Sequence, residues 1–399
     1  VIENMDKKTV RDINVAGKRV LMRVDFNVPL EDGAVADDTR LQASLPTIQY
    51  LLEQEATVIL MSHLGRPKGK VIPELRMAPV AQRLGELLEL PVLQLDDCVG
   101  PEIEEICRGL EPGEVALLEN TRFHPEEKAN EAAFSEQLAT LGDVYVNDAF
   151  AAAHRAHAST EGAARVMQER GSDAVAGFLM QGELEALGQV ITDPERPFIA
   201  VLGGAKVGDK IGVIERLLEL CDRLLIGGAM ANTFFKAMGF EMADSLVDEG
   251  AVETAGELLE EGKTRLVLPV DCVVADAFSA DAATEVVAPD QVKPGWRVLD
   301  VGPVTISTYE SALAGARTVV WNGPLGAFEM EPFAQGTYAL AKILAGMDAT
   351  TVVGGGDSAA AVHESGMADR FTHVSTGGGA SLQLLEGKPL PGVEVLSDR

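Results

Sequence analysis

Residues 197–220, PFIAVLGGAKVGDKIGVIERLLEL, decide how the rest of the chain is read. The apolar run 198–202 has the pattern of a parallel strand covered on both faces. Gly203 and Gly204 follow at once. Glycine lets backbone N–H groups come close to an anion, and a helix start presents unpaired donors with positive partial charge, so phosphate is the expected guest. Lys206 and Lys210 lie four apart across the turn into Ile211, Ile214, Leu217 and Leu218, which places both ammonium groups within reach of a ligand above the sheet edge. Taken alone, the same residues also make an ordinary strand-to-helix turn. Two better-known motifs do not fit. Gly203-x-x-x-x-Gly208 continues Asp209-Lys210-Ile211 rather than Lys-Ser/Thr, and no G-x-G-x-x-G occurs here or at the two later glycine triplets.

A length of 399 residues suggests two or three domains, and 46% hydrophobic residues support burial. Lysine plus arginine number 33 against 62 aspartate plus glutamate, a net charge of -29. Such a field repels nucleic acid and acidic membranes, so neither is an expected partner. An anionic ligand would need cations gathered locally against that background. Solubility or a saline habitat would equally account for the acidity. Cys98, Cys107, Cys221 and Cys272 form no C-x-x-C pair, and a domain of this size needs no disulfide staple; they read as free thiols of a cytoplasmic protein. No apolar run approaches the ~18 residues of a membrane span. The first residues, VIENMDKKTVRD, lack a signal-peptide core. Val1 reads as a decoded GTG start, with Met5 as another possible start.

Along the first half, one pattern repeats four times: a short apolar strand ending in polar residues. The strand 18–24 runs into Asp25, Phe26 and Asn27. A helix beginning near Arg40 carries Leu41, Leu45, Ile48, Leu51 and Leu52 along one side. A cation in a helix's first turn is disfavoured by ~0.3–1 kcal/mol, a penalty that an anionic ligand would remove. Strand 56–61 ends in Ser62-His63-Leu64-Gly65-Arg66-Pro67, and a helix is expected over 77–88. Strand 114–118 ends in Glu119-Asn120-Thr121-Arg122, and 143–146 in Asn147-Asp148, with His154, Arg155 and His157 beyond. Ligands of open α/β sheets bind outside the carboxyl ends of parallel strands. Those ends carry Asp25, Asn27, His63, Arg66, Arg122 and Arg155, the local basic cluster that the composition demands. Planar guanidinium groups recognise phosphate and carboxylate by paired hydrogen bonds. Any one of these arginines could equally be a solvated surface residue, and His63 alone reads as structural. His124, His154 and His157 have no carboxylate or cysteine partner at ligand spacing.

Residues 171–197 break the pattern, with a helix expected over 183–191 as a connector packed on both halves. Beyond it, the strand exits turn glycine-rich: Gly227-Gly228 after 223–226, Asn322-Gly323-Pro324 after 318–321, Gly354-Gly355-Gly356-Asp357-Ser358 after 351–353, and Gly377-Gly378-Gly379 after 371–374. A further strand, 264–270, leads to Asp271. Backbone donors and two lysines suit a long phosphate ester such as a nucleotide. Asp357 offers the hard oxygen that magnesium prefers, and Asp357-Ser358 equally suits a helix N-cap. Glu329 could accept from ribose hydroxyls or simply be solvated.

Eight blocks in order, RVDFNVP (23–29), SHLGRP (62–67), ENTRF (119–123), NDAFAAAHRAHAST (147–160), LGGAKVGDK (202–210), VWNGPLGAFE (320–329), GGGDS (354–358) and STGGGA (375–380), resemble the phosphoglycerate kinase family. The resemblance runs from about residue 10 to the end. It implies an α/β protein of two Rossmann-like lobes, each a mainly parallel sheet flanked by helices, joined by a hinge helix. The lobes would be 1–173 and 197–385, with 174–196 as connector and a tail from about 386 to 399 returning to the first. That return fits the prolines of LEGKPLPGVEVLSDR, which argue against another buried strand.

The resemblance also implies a cytoplasmic, monomeric glycolytic enzyme moving a phosphoryl group reversibly between 1,3-bisphosphoglycerate and ADP, with Mg2+, to give 3-phosphoglycerate and ATP. Its glycerate site would be Asp25, Phe26, Asn27, Arg40, His63, Leu64, Gly65, Arg66, Arg122 and Arg155. Its nucleotide site would be Gly204, Ala205, Lys206, Lys210, Gly227, Leu268, Asn322, Pro324, Glu329, Gly355, Gly356, Asp357 and Ser358. Arg40, Lys206 and Lys210 would be catalytic, and Asp357 the metal ligand. Ser358 stands where the family often has threonine, Ala229 where glycine is frequent, and Glu161 where an apolar residue is common. Phosphoryl transfer needs positioning and charge stabilisation rather than a protein nucleophile, and closure of the lobes would exclude water. A different acyl-phosphate kinase is the nearest competing enzyme, and a nucleotide-gated binding protein the nearest non-enzyme.

Overall fold

The computed structural model describes residues 5–399. The chain divides into two compact units: the first runs to Glu185 and takes in Lys388–Arg399, and the second is Ala186–Gly387.

The first unit holds a six-stranded sheet in the spatial order Val92–Gln94, Val115–Leu117, Thr57–Met61, Arg19–Arg23, Val144–Asn147, Ala174–Ala176. Every pairing in it is parallel. Thr57–Met61 is buried throughout, as a strand covered by helices on both faces must be. The strand order reverses between Arg19–Arg23 and Val144–Asn147, so the exits of these two strands flank a crevice. The helix expected near Arg40 spans Thr39–Glu53, with Leu41, Ile48 and Leu51 buried.

The connector differs from its expected course. Residues 174–176 are not linker but an edge strand paired with Val144–Asn147. Three small residues are too short a run to announce a strand. The helix that follows is Phe178–Thr192, longer than expected, with Gly182 inside it, and the division between the units falls within it. Its first turn is tied down by Thr47 Oγ1, which accepts from Phe178 N at 2.9 Å, and by Asp148 Oδ1, which accepts from Met180 N at 3.1 Å. Gly177 is required here, because a Cβ would lie 2.2 Å from Asp148 Oδ1. At the other end of the chain, the prolines give a short helix, Pro391–Glu394, and a single antiparallel bridge between Asp398 and Lys7. Ser397 N donates to Ala174 O at 2.8 Å, and the buried Lys7 Nζ donates to Leu396 O at 3.0 Å and Asp398 Oδ1 at 2.6 Å.

The second unit has its own six-stranded parallel sheet, ordered Leu266–Val267, Arg223–Ile226, Phe198–Leu202, Thr318–Asn322, Thr350–Gly354, His373–Val374. Numbered along the chain, these strands run 3-2-1-4-5-6, the doubly wound order whose switch point lies between Phe198–Leu202 and Thr318–Asn322. The expected strand 264–270 is only Leu266–Val267, ended before Pro269, which has no N–H for a ladder. The sequence reading also missed a three-stranded antiparallel sheet, Cys272–Ala275, Thr284–Val287 and Arg297–Val301. Its outer strand, Thr284–Val287, is largely exposed and lacks an apolar run.

Candidate active site

In the first unit, the strand exits converge on a basic crevice. Asp25 Oδ2 accepts from Arg40 Nη1 at 2.5 Å, which orients the arginine that opens helix Thr39–Glu53. Phe26 N donates to Ser62 Oγ at 2.9 Å, and Gly65 N to Asn27 Oδ1 at 2.8 Å, so the loops after two adjacent strands are laced together. Asn120 joins the third loop: its Oδ1 accepts from Leu64 N and Arg122 N, both at 3.1 Å. Arg122 Nη1 reaches Gly65 O at 3.0 Å, and its buried Nε has no partner. Arg66 and Arg155 are exposed, and Arg155 Nε donates to His154 Nε2 at 2.9 Å.

Arg23 is the residue that the sequence reading passed over. It is fully buried, with Nε on Ser159 Oγ at 2.8 Å, Nη1 on Val24 O and Nη2 at 2.9 Å from His63 Nδ1. A guanidinium only donates, so His63 Nδ1 accepts and its ring proton sits on Nε2. Burial, and then the charges of Arg23, Arg122 and Arg40, hold His63 well below its usual basicity, so it is a neutral donor. Burial and the charges of Arg122, Arg23 and Arg155 push His157 down to about 4. Arg122 itself is lowered to about 10 by burial and by Arg23 and Arg155. These shifts have one physical meaning: positive groups crowd a partly desolvated site where an anion would relieve them. Arg23 carries no motif signal beyond opening RVDFNVP, and its position at the last residue of a buried strand is the clue that could have found it.

In the second unit, the switch point brings the glycine loops together. Gly203 N donates to Asn322 O at 2.9 Å, and a Cβ on Gly203 would stand 2.1 Å from Pro324 O. Lys210 Nζ donates to Gly203 O at 2.7 Å, Asn322 Oδ1 at 2.8 Å and Asn322 O at 3.2 Å, which occupies all three of its protons. Burial pulls it down to about 8 against the opposing charges of Asp357 and Asp209. Lys210 therefore ties the two loops together instead of standing free at a helix start; the helix itself is Ile211–Leu220, preceded by the short turn Gly208–Lys210. Lys206 is exposed. Asn322 Nδ2 is buried without a partner beside Gly354 and Gly355, and Ser358 Oγ accepts from Gly323 N at 2.6 Å.

Next to these loops lies a cavity of about 690 Å3. Of the expected nucleotide residues it takes Gly204, Ala205, Pro324, Glu329 and Asp357 into its lining. It does not take Leu268 or Gly227, whose neighbours Pro269 and Gly228 line it instead, nor Lys206, Lys210, Asn322, Gly355, Gly356 or Ser358. More of its lining comes from residues 245–247, Phe278 and residues 297–301, none of them expected from the sequence; the last stretch is a strand of the missed antiparallel sheet. Buried Asp300 braces that strand: Oδ1 accepts from Val301 N and Oδ2 from Gly336 N, both at 2.8 Å, and burial raises it to about 7. Asp357 is exposed in the first turn of helix Gly356–Glu364 and faces the cavity.

The fold gives one histidine partners that sequence spacing did not show. Asp97 and Cys98 come close to His124, with all three donor atoms inside 4.8 Å of one another. The partners stand 26 and 27 residues away in sequence, on the loop after the neighbouring strand, so local spacing could not show them.

The family model described as phosphoglycerate kinase matches residues 10–388. The phosphoglycerate kinase of Moorella thermoacetica is 58% identical over 398 residues, 99% of this chain and 100% of that protein. That of Roseiflexus sp. RS-1 is 57% identical over 399 residues, with the same coverage. Among solved structures, phosphoglycerate kinase from Coxiella burnetii superposes with a TM-score of 0.87 at 41% identity, covering 98% of each chain. The enzyme from Pyrococcus horikoshii OT3 gives 0.84 at 36% identity, covering 97% of this chain and 98% of its own.

Proposed function

Because this chain belongs to the phosphoglycerate kinase family, we propose that its two units divide the ligands, the first binding the glycerate phosphate and the second the nucleotide. The enzyme catalyses reversible phosphoryl transfer between 1,3-bisphosphoglycerate and ADP, the glycolytic step that yields 3-phosphoglycerate and ATP. The observation that carries the ligand assignment is the neutral, buried His63 set among Arg23, Arg40 and Arg122. Together with Arg66, Arg155 and the backbone of Phe26, Leu64 and Gly65, Arg40 and Arg122 hold a compact acid with two anionic groups, while the buried Arg23 adds charge from behind His63. Asp25 and Asn27 keep the loops in register and accept from its hydroxyl.

In the second unit the cavity takes the nucleoside, with Glu329 on the ribose and Gly204, Ala205 and Pro324 against the ring. The unpartnered Asn322 Nδ2 and the amides of Gly355, Gly356 and Ser358 receive phosphate oxygens. Lys210 keeps Gly203 and Asn322 in place and supplies positive charge from within. Lys206, on the same loop and free of the backbone, follows the migrating phosphoryl with Arg40. Magnesium belongs to this proposal: Asp357 is an exposed hard-oxygen donor at the cavity, and the ion would neutralise nucleotide phosphate oxygens there.

Transfer is direct and in line, since such a loose transition state asks for position and charge rather than a covalent intermediate. It requires closure of the units about the connecting helix, and solution scattering with both substrates bound that gave the apo radius of gyration would count against that step. The same reading makes the protein a cytoplasmic monomer. A coupled assay decides the activity: ADP should form with 3-phosphoglycerate and ATP, and not with acetate and ATP. Turnover of acetate instead would overturn the assignment.

A further inference from the structure

We propose that Asp97, Cys98 and His124 form a binding site for a thiophilic divalent cation of the zinc class, apart from the magnesium position at Asp357. The site rests on two neighbouring strand exits. Val92–Gln94 and Val115–Leu117 pair in parallel, Gln94 opposite Leu117, so the chain leaving each strand runs side by side. The first exit carries Asp97 and Cys98. The second passes through Glu119 and the turn Thr121–Phe123 to reach His124.

The donors are already gathered. His124 Nε2 stands 2.6 Å from Asp97 Oδ1, and the imidazole packs on the buried ring of Phe134 at 4.9 Å between centroids, which fixes its plane. Cys98 is fully buried, held by its N–H on Asp97 Oδ1 at 2.7 Å and by its thiol donating to Glu119 O at 2.9 Å. Tetrahedral zinc, with bonds of about 2.0–2.3 Å, sets its donor atoms roughly 3.3–3.7 Å apart. The pair at 2.6 Å must open slightly, which rotation of the exposed Asp97 side chain allows, and no pair of donors stands more than 4.8 Å apart, about 1 Å beyond the upper end of that range. One thiolate, one imidazole and one carboxylate suit zinc, while magnesium requires oxygen donors. Three protein ligands leave a fourth position for water. On binding, the Cys98 S–H and His124 Nε2–H bonds break and both protons pass to solvent; the sulfur exchanges the Glu119 carbonyl, and the ring nitrogen the Asp97 carboxylate, for the metal. A bound ion would staple the sheet's edge strand to the segment that carries Arg122, two residues before His124.

The alternative is an Asp97–His124 ion pair and nothing more. Cobalt distinguishes the two, because a thiolate bound to Co2+ gives a near-ultraviolet charge-transfer band that carboxylates on an acidic surface cannot give. Chelator-treated, nucleotide-free, full-length protein is titrated with Co2+. The band should saturate at one equivalent, vanish in Cys98→Ser, weaken at least tenfold in affinity in His124→Gln, persist in Cys107→Ser, and be displaced by Zn2+. His124→Gln changes a half-buried residue and guards against a folding defect in Cys98→Ser, with circular dichroism checking both. No band in the unaltered protein, or an undiminished band in either Cys98→Ser or His124→Gln, would overturn the proposal.

Discussion

Replacing Asp148 by asparagine should remove a large part of the pH dependence of the first unit's stability. Asp148 is fully buried where strand Val144–Asn147 ends, its Oδ1 caps the start of helix Phe178–Thr192, and its Oδ2 has no partner. Burial pushes its pKa up to about 7, against opposing hydrogen bonds from Thr47, Met180 and Leu179. In the unfolded chain an aspartate titrates near ~3.9. Between these values the folded protein keeps a proton that the unfolded chain has lost. The folded state therefore binds more protons there, and stability falls as pH rises through the window. Completing that ionisation costs on the order of 4 kcal/mol. Asparagine keeps the Oδ1 acceptor and cannot ionise. Both tryptophans, Trp296 and Trp321, lie in the second unit, so the measurement is hydrogen exchange of the amides of Val144–Asn147 at pH 5 and pH 8, under conditions of global opening. The opening free energy of Asp148→Asn relative to the parent should rise by about 2.6 kcal/mol between the two pH values, the part of that cost which falls within this window. A difference that stayed constant with pH would show that Asp148 is ionised at pH 5, and the burial argument would be wrong.

Three further outcomes are expected. Arg40→Ala should lower kcat by about 10²–10³, the cost of one well-aimed transition-state donor, with nucleotide affinity little changed; a parental kcat would remove Arg40 from the reaction. Gly203→Ala would drive a methyl into the Pro324 carbonyl, and a strain of about 1–3 kcal/mol on the loop predicts nucleotide binding weaker by on the order of ten- to a hundredfold. Calorimetry should find 3-phosphoglycerate affinity unaltered, and equal losses for both ligands would argue against a local effect. Lys7→Met leaves the Leu396 carbonyl and Asp398 without their donor and should cost roughly 1–3 kcal/mol in the first unit, read as earlier urea unfolding by far-ultraviolet circular dichroism.

The parallel strands were legible because burial on both faces writes itself as unbroken apolar runs, as in Phe198–Leu202 and Thr57–Met61. The strand exits followed from them, and with them Asp25, His63 and Arg122. What escaped was whatever depends on contact between distant segments. Arg23 looks like any strand residue until Ser159, 136 positions on, and His63 are found around its guanidinium. The antiparallel sheet that walls the cavity is short and half solvated, so its period is weak. Lys210 could be placed near phosphate by spacing, yet its three hydrogen bonds to Gly203 and Asn322 are a property of the folded loops. The edge strand Ala174–Ala176 was hidden by composition, because three small residues between turns resemble a linker.

The return of residues 388–399 to the first unit makes the whole of Ala186–Gly387 an insertion within it. On a ribosome, the partners of Lys7 and Ala174 are translated only after the whole of the second unit. The earlier-made unit is therefore the one finished last, and a nascent chain arrested at residue 387 would carry a first unit still open at its edge.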